Sequence, residues 1–235
     1  MKNMTLATPP AAEIQKLEAE FINYFEIIER VIADRLTTPR QDLVTALLDA
    51  RLENEQLGPE RTRHVIDLVL TAGLDTTIGL LCNAMMTLTR YPALFTRLKN
   101  QPELIPAFVE EQLRFDSSTH RLMRLATTDV PLRGQTIAAG TLVLVMLAAA
   151  NRDPEKFSDP DRFELSRPNI REHVAFGYGP HVCIGAALAR RQAKIAIEEL
   201  VRASNGVCCP PPEELLWEPS LITHAPDTQL PIKLL

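Results

Sequence analysis

Positive charge is in short supply in this sequence. Its 235 residues carry 25 Lys and Arg against 30 Asp and Glu, a formal charge of −5, which excludes a nucleic-acid binder held by bulk positive charge. Long apolar runs are missing too. The longest, Leu142 to Ala150, is nine residues, against the roughly 20 that a membrane-spanning helix needs. Met1 to Pro10 has neither a basic start nor an apolar stretch, so no leader is read there. A cytoplasmic protein with no membrane partner is the expectation. Cysteine is sparse: Cys82, Cys183, Cys208 and Cys209 lack the spacing of a disulfide framework or a CxxC metal site, which leaves free thiols. The 9 glycines are outnumbered two to one by 18 prolines, which favours helix starts and extended connections. No internal repeat and no low-complexity segment is present.

What is there is ordinary for a folded chain. With 46% hydrophobic and 23% charged residues, disorder is excluded and roughly 70% of the unfolded surface can be buried. Residues 1–235 are read as a single domain. Thr8-Pro9 caps a first amphipathic helix whose apolar residues, from Ile14 to Ile32, recur at helical spacing up to Leu36. After Pro39 a second helix carries Leu43, Val44, Leu47 and Leu48 and ends at the Leu57-Gly58-Pro59 break. From Glu60 to Arg90 no proline interrupts the chain, and both faces are apolar, which predicts a long helix buried in the middle of the structure. Short helices are predicted over Pro92–Asn100 and Glu103–Phe115. Arg121–Thr127 and Thr141–Val145 read as strands, with turns at Asp129-Val130-Pro131 and Ala138-Ala139-Gly140. Asn151–Val182 is a long loop, a helix runs from about Gly185 to Arg202, and Val207–Leu235 holds short strands between prolines. The fold class is mainly α with small β-sheets.

Phe176-Gly177-Tyr178-Gly179-Pro180-His181-Val182-Cys183-Ile184-Gly185 sets one cysteine after two glycines and directly before a helix. Gly177 and Gly179 let the backbone fold tightly under Cys183, and free amides at the helix start favour its thiolate. A thiolate without a second soft ligand suits a single axial bond to heme iron, and Gly185 removes a side chain where a flat macrocycle would lie. The competing metal reading, zinc on His173, His181 and Cys183, lacks a fourth ligand at sensible spacing.

The segment fits F-x-x-G-x-x-x-C-x-G and resembles the heme-thiolate monooxygenases, the cytochrome P450 family, in their soluble bacterial form. Other landmarks follow in order. Ala72-Gly73-Leu74-Asp75-Thr76-Thr77 lies inside the long predicted helix, where glycine costs about 1 kcal/mol relative to alanine and threonine can bond to a carbonyl one turn back. It is similar to the family's oxygen-binding groove. The resemblance implies that Ala72 and Gly73 line the cofactor, that Thr76 holds dioxygen and its proton-supplying water, and that Asp75 feeds protons in. Glu111-Gln112-Leu113-Arg114 is an E-x-x-R. Glu60 with Arg63, Glu164 with Arg167 and Glu199 with Arg202 share that spacing, and only Glu111 with Arg114 lies on the helix before the strands. By resemblance these two and Arg162, in Asp159-Pro160-Asp161-Arg162-Phe163, form a buried structural cluster that fixes the cysteine loop. Arg124 and His181 match positions that bind the heme propionates, and Phe176, Gly177 and Gly185 belong to the cofactor-binding loop.

The resemblance implies a cytochrome P450 fold lacking its N-terminal part, since the groove helix arrives by residue 73. It also implies heme b as cofactor and electrons from NAD(P)H through a ferredoxin or flavodoxin-type partner, which Arg190, Arg191 and Lys194 could receive. The activity implied is insertion of one oxygen atom into a small organic substrate, with secondary metabolism as the setting. The alternative is a non-catalytic or split homologue that joins a complementary N-terminal half or a second copy of itself, because uncovered apolar patches invite association. Leu221, Thr223 and His224 are candidates for ligand contact.

Overall fold

The structure, a computed structural model, describes residues 11–217, 220–226 and 230–235, with the side chains of 11–13 excepted. The Thr8-Pro9 cap lies outside the described residues. The chain divides into two compact units, residues 1–72 and 73–235, with the boundary inside one helix. The N-terminal helices build a small core of their own, so the chain has two centres of packing.

In the first unit α1 (Ala11–Thr37) and α2 (Leu43–Asp49) precede a two-residue-per-strand hairpin, β1 (Arg51–Leu52) and β2 (Glu55–Gln56), and the start of α3 (Gly58–Arg90). Ile28 and Ile32 of α1 pack with Leu48 of α2 and Ile66 of α3, and the Tyr24 hydroxyl donates to Asp67 Oδ1 at 3.0 Å. The second helix ends at Asp49, eight residues before the Leu57-Gly58-Pro59 break, because the hairpin intervenes. Its turn puts Glu53 and Asn54 at positive φ, and Glu53 gives no sequence signal for that conformation.

The second unit contains the rest of α3, then α4 (Pro92–Asn100), α5 (Ile105–Phe115), β3 (Arg121–Leu125), β4 (Val130–Leu132), β5 (Gln135–Ile137), β6 (Leu142–Met146), α6 (Leu147–Ala150), α7 (Ala186–Ala203), β7 (Val207–Cys208) and β8 (Lys233–Leu234). Its core is helical: Leu80, Ala84 and Leu88 of α3 meet Phe95 and Leu98 of α4, Ile105, Phe108, Val109 and Leu113 of α5, and Ala193, Ile197 and Val201 of α7. Among the described residues of this unit the strands form three two-stranded antiparallel sheets, β3 with β6, β4 with β5 and β7 with β8, and Val207 of β7 is buried in the same core. Val130 and Pro131, read as a turn, pair instead with Ile137 and Thr136, since the reversal falls at Arg133-Gly134, both at positive φ.

α3 departs from the expectation of a helix buried along its length. From Gly79 onward it enters the core, whereas Leu68, Leu70, Leu74 and Ile78 are exposed. Counting unbroken apolar runs also understates it: between His64 and Arg90 only Asp67 and Asp75 are charged, and the helix is long and apolar enough to cross a bilayer by length and composition. Its C-terminal half is nevertheless committed to the packed core of the second unit.

Candidate functional site

Residues 176–185 make a loop that ends at the first turn of α7. Gly177 (φ +73°) and Gly179 (φ +82°) adopt left-handed backbone that side-chain-bearing residues rarely take. A short 3-10 turn, Gly179–His181, follows, and Gly185 caps α7. The Cys183 amide donates to the Phe176 carbonyl at 3.0 Å and the Cys183 carbonyl accepts from the Ala186 amide at 3.3 Å, so the backbone at the cysteine is tied to both arms. The side chains are the reverse: Cys183 is exposed, with Tyr178 at 91% and Ile184 at 97% exposure beside it. A Cβ on Gly185 would stand 3.7 Å from Cys183 Sγ, so its absence clears the space next to the sulfur. A Cβ on Gly177 would stand 3.9 Å from Leu122 Cδ1, which puts β3 against the loop. Leu122 and Arg124 share one face of that strand. Arg124 and His181 are both exposed, and Arg124 Nη1 donates to the Met123 carbonyl at 2.8 Å.

A buried charge network centred on α5 contains Glu111 and Arg114. Arg114 grips the Glu111 carboxylate with Nε and Nη2, each at 2.8 Å, and sends its remaining N–H groups to the carbonyls of Asn151 (3.0 Å), Pro160 (2.9 Å) and Arg162 (3.2 Å). All five guanidinium donors are thereby used, which is what a fully buried arginine requires. The third cation is Arg167, not Arg162. Arg167 is buried, its Nε donates to Glu111 Oε1 at 3.3 Å, and the Glu164 amide donates to the same oxygen at 2.9 Å. Arg162 supplies only its carbonyl, which accepts from Arg114 and Arg167, while its side chain is exposed. The E-x-x-R spacing of Glu164 and Arg167, indistinguishable from coincidence in the sequence, marks the segment that closes the cluster. Together the two arginines satisfy carbonyls of Asn151, Ser158, Asp159, Pro160 and Arg162 in a stretch with no regular secondary structure to do so.

A second linkage has no counterpart in the sequence reading. Glu110, next to Glu111, accepts from Arg190 Nε at 2.6 Å and Nη2 at 3.2 Å and from His173 Nε2 at 3.1 Å. The Ala175 amide donates to His173 Nδ1 at 3.3 Å, which fixes the tautomer with the proton on Nε2. Burial pushes the Glu110 carboxyl up, but the hydrogen bonds from His173 and Arg190 outweigh it and hold its pKa at about 2. The Arg190 guanidinium lies 4.6 Å from the Phe176 ring centroid, and Phe176 holds the Cys183 amide. His173 is committed to Glu110, so the zinc set of His173, His181 and Cys183 is not assembled. Arg190 is consumed by Glu110 and Lys194 pairs with Glu198 at 3.0 Å, so the basic face expected on α7 reduces to Arg191. No spacing rule links position 110 to 173 or 190; the packing on α5 of α7, which carries Arg190, and of the short 3-10 turn Ile170–Glu172, which His173 follows, brings them together.

α3 runs uninterrupted through Ala72–Thr77; Ala72, Gly73 and Asp75 are exposed and Thr76 is half-buried. Thr71 Oγ1 donates to the Asp67 carbonyl one turn back at 2.7 Å. A Cβ on Gly73 would meet nothing within 4 Å, so no packing demand explains a glycine there. Gly79 is the opposite case, since a Cβ would fall 2.9 Å from Ser118 Cβ and 3.1 Å from Ala225 Cβ. Among the C-terminal candidates Leu221 is exposed, Thr223 bridges to Thr119, and His224 stacks between the rings of Trp217 and His120.

A surface sulfur on a rigid loop, bare space beside it and cations within the neighbouring strand and loop fit the demands of a heme held by one axial thiolate. The family model described as Cytochrome P450 matches residues 8–231. Cytochrome P450 107B1 of Saccharopolyspora erythraea is 38% identical over 210 residues, 88% of this chain and 51% of its own length. The biotin biosynthesis cytochrome P450 of Bacillus subtilis is 39% identical over 175 residues, 74% of this chain and 44% of its own length. The crystal structure of CYP109E1 from Bacillus megaterium in complex with corticosterone superposes with a TM-score of 0.86 at 33% identity, covering 97% of this chain and 61% of that one. This chain spans about half the length of the curated relatives it matches.

Proposed function

Because the chain belongs to the cytochrome P450 family, we propose that it binds heme b through Cys183 and acts as a monooxygenase, placing one oxygen atom from dioxygen into a small organic substrate. The observation that carries this is the placement of Cys183: backbone anchored to Phe176, side chain exposed, glycine on the flanking side. Heme, when bound with Cys183 as its protein ligand, would supply the oxygen-activating redox chemistry. The protein's residues do the rest. Arg124 and His181 offer cations for the propionates. Gly73 leaves room on the open side of α3, the Thr76 hydroxyl holds a water, and Asp75, exposed to solvent, relays protons to it. Glu111, Arg114 and Arg167 keep the segment leading to the loop in place. Electrons come from NAD(P)H through a ferredoxin or flavodoxin-type donor, in the cytoplasm.

The test is the visible spectrum of the purified chain after hemin loading, reduction and CO treatment. The expected result is a thiolate-type Soret band in the wild type that is lost in Cys183→Ser. Absence of that band in hemin-saturated wild type would overturn the assignment. The exposed apolar face of β3 and β6, with Met123, Leu125, Leu142 and Leu144 uncovered, favours a second reading in which the chain works only with a complementary N-terminal half. Hemin uptake and NAD(P)H-driven product formation by this chain alone would exclude it.

A further inference from the structure

Away from the cysteine loop, three potential ligands meet where the end of α5, the start of β3 and the C-terminal segment come together. A carboxylate oxygen of Asp116 and ring nitrogens of His120 and His224 all lie within 4.8 Å of one another, and all three residues are half-buried. Asp116 Oδ1 and His120 Nε2 are 3.5 Å apart, a contact too long for a good hydrogen bond. The two imidazole rings stack at 4.3 Å, and the Trp217 ring stacks on His224 at the same distance.

The backbone under this cluster is held at every ligand. The Asp116 amide donates to the Gln112 carbonyl (2.9 Å), the His120 amide to Ile222 (2.9 Å) and the His224 amide to Ser118 (2.8 Å). Asn83, fully buried on α3, donates through Nδ2 to the carbonyls of both His224 (3.1 Å) and Asp116 (3.4 Å). Gly79 allows Ser118 and Ala225 to sit directly on the same helix. The ligand-bearing backbones are thus fixed before any ligand arrives, and only side-chain torsions remain to be adjusted. Metal–ligand bonds of about 2.0–2.2 Å need ligand atoms roughly 3.4 Å apart in a tetrahedral site. Reaching that spacing from the stacked arrangement requires the His120 and His224 rings to turn out of their face-to-face contact so that their in-plane lone pairs converge, a change of side-chain torsions with the backbones left where they are.

We propose that Asp116, His120 and His224 form a binding site for a divalent transition metal, with water completing a tetrahedral shell. Two imidazoles and one carboxylate with an open position are a donor set that suits zinc. The ion would tie the segment after α5 to the C-terminal segment, which Thr119 and Thr223 otherwise join by a single bridge.

The full-length chain, stripped with chelator and then freed of it, is titrated with Co2+ and followed by its visible ligand-field absorption; Zn2+ then displaces Co2+. One equivalent of tetrahedral Co2+ is expected, retained in Cys183→Ser, which removes the exposed thiol of the cysteine loop from consideration. His224→Ala and the near-isosteric Asp116→Asn should each weaken binding by more than the 10- to 100-fold typical of losing an outer hydrogen-bond partner. Far-ultraviolet circular dichroism identifies any variant that fails to fold, and Asp116→Asn then carries the test. No uptake by wild type at micromolar Co2+, or uptake unchanged in both variants, overturns the site. So does uptake abolished by Cys183→Ser. The Cys183→Ser arm holds no heme, so this outcome is independent of the fate of the proposed function.

Discussion

The buried charge cluster centred on α5 and the exposed cysteine loop are built on opposite terms. In the cluster, Glu111, Arg114 and Arg167 are buried, and the guanidinium donors of Arg114 are all spent on a carboxylate or a backbone carbonyl. Outside, Cys183, Ile184, Tyr178 and the apolar residues of β3 and β6 stand exposed. One region is complete in its own hydrogen bonding and has nothing left to offer a partner. The other is held only by its backbone and presents sulfur and apolar surface. The difference teaches that the scaffold placing the sulfur is internal to these residues, whereas the surface it presents is made to be covered. The scaffold should therefore persist without cofactor, and damage to it should register as lost stability before any question of chemistry arises.

The largest effect is expected from Glu111→Ala. It leaves two buried guanidinium groups facing each other without a carboxylate, and breaking a buried pair on one side costs about 3–5 kcal/mol. Urea unfolding of the cofactor-free chain, followed by fluorescence of Trp217, should show a large fall in the midpoint. Arg167→Ala should approach that loss, while Arg162→Ala, which removes an exposed side chain and keeps the carbonyl, should stay within about 0.5 kcal/mol. Equal losses for the two arginines would mean that Arg167 is not the third cation.

A smaller effect should follow pH through Glu110. Its carboxyl is held at about 2 in the folded chain against an ordinary 4.5; burial raises it, and the bonds from His173 and Arg190 more than reverse that. A depressed folded-state pKa means stabilisation that is fully present above about 4.5 and fades as the pH falls from there towards 2. Glu110→Gln removes the titrating group, so the urea midpoint of that variant should lose part of the wild type's slope across that window. A slope identical to wild type would detach Glu110 from the loop's support.

These two neighbouring carboxylates show how far the sequence could be read. Periodicity located α4, α5 and α7 to within a residue or two, because each is an amphipathic segment bounded by proline, glycine or a polar stop. Glu111 and Arg114 share their one-turn spacing with three other pairs, and only their place on the helix before the strands, together with the family resemblance, singled them out. Arg167 and Glu110 were not legible, since their partners are 56 and 63 to 80 residues away and are chosen by how a loop folds over α5. Arg162 and Arg167 are five residues apart in a segment with no period, and nothing local tells which one turns inward. The hairpin at Arg51–Gln56 escaped for a related reason, because Glu53 takes a positive φ without glycine to announce it. Local physics gave the elements; long-range packing chose the ion pairs.

Gly79 and Gly73, two turns apart on α3, allow the finest form of the contrast. At Gly79 a methyl group would press on Ser118 and Ala225, both backed by the core, so Gly79→Ala should cost about 1–3 kcal/mol as overpacking. At Gly73 the same methyl meets open space in an uninterrupted helix, and alanine is the better helix former by about 1 kcal/mol. Gly73→Ala should therefore leave the cofactor-free chain as stable as wild type or more so by up to that amount, read as a raised urea midpoint. If the open face of Gly73 is where dioxygen is accommodated, the same variant, loaded with heme, should lose turnover while keeping its CO spectrum. A glycine that costs stability, touches nothing and can be replaced without loss of turnover would have no reason to be there, and that result would remove Gly73 from the site.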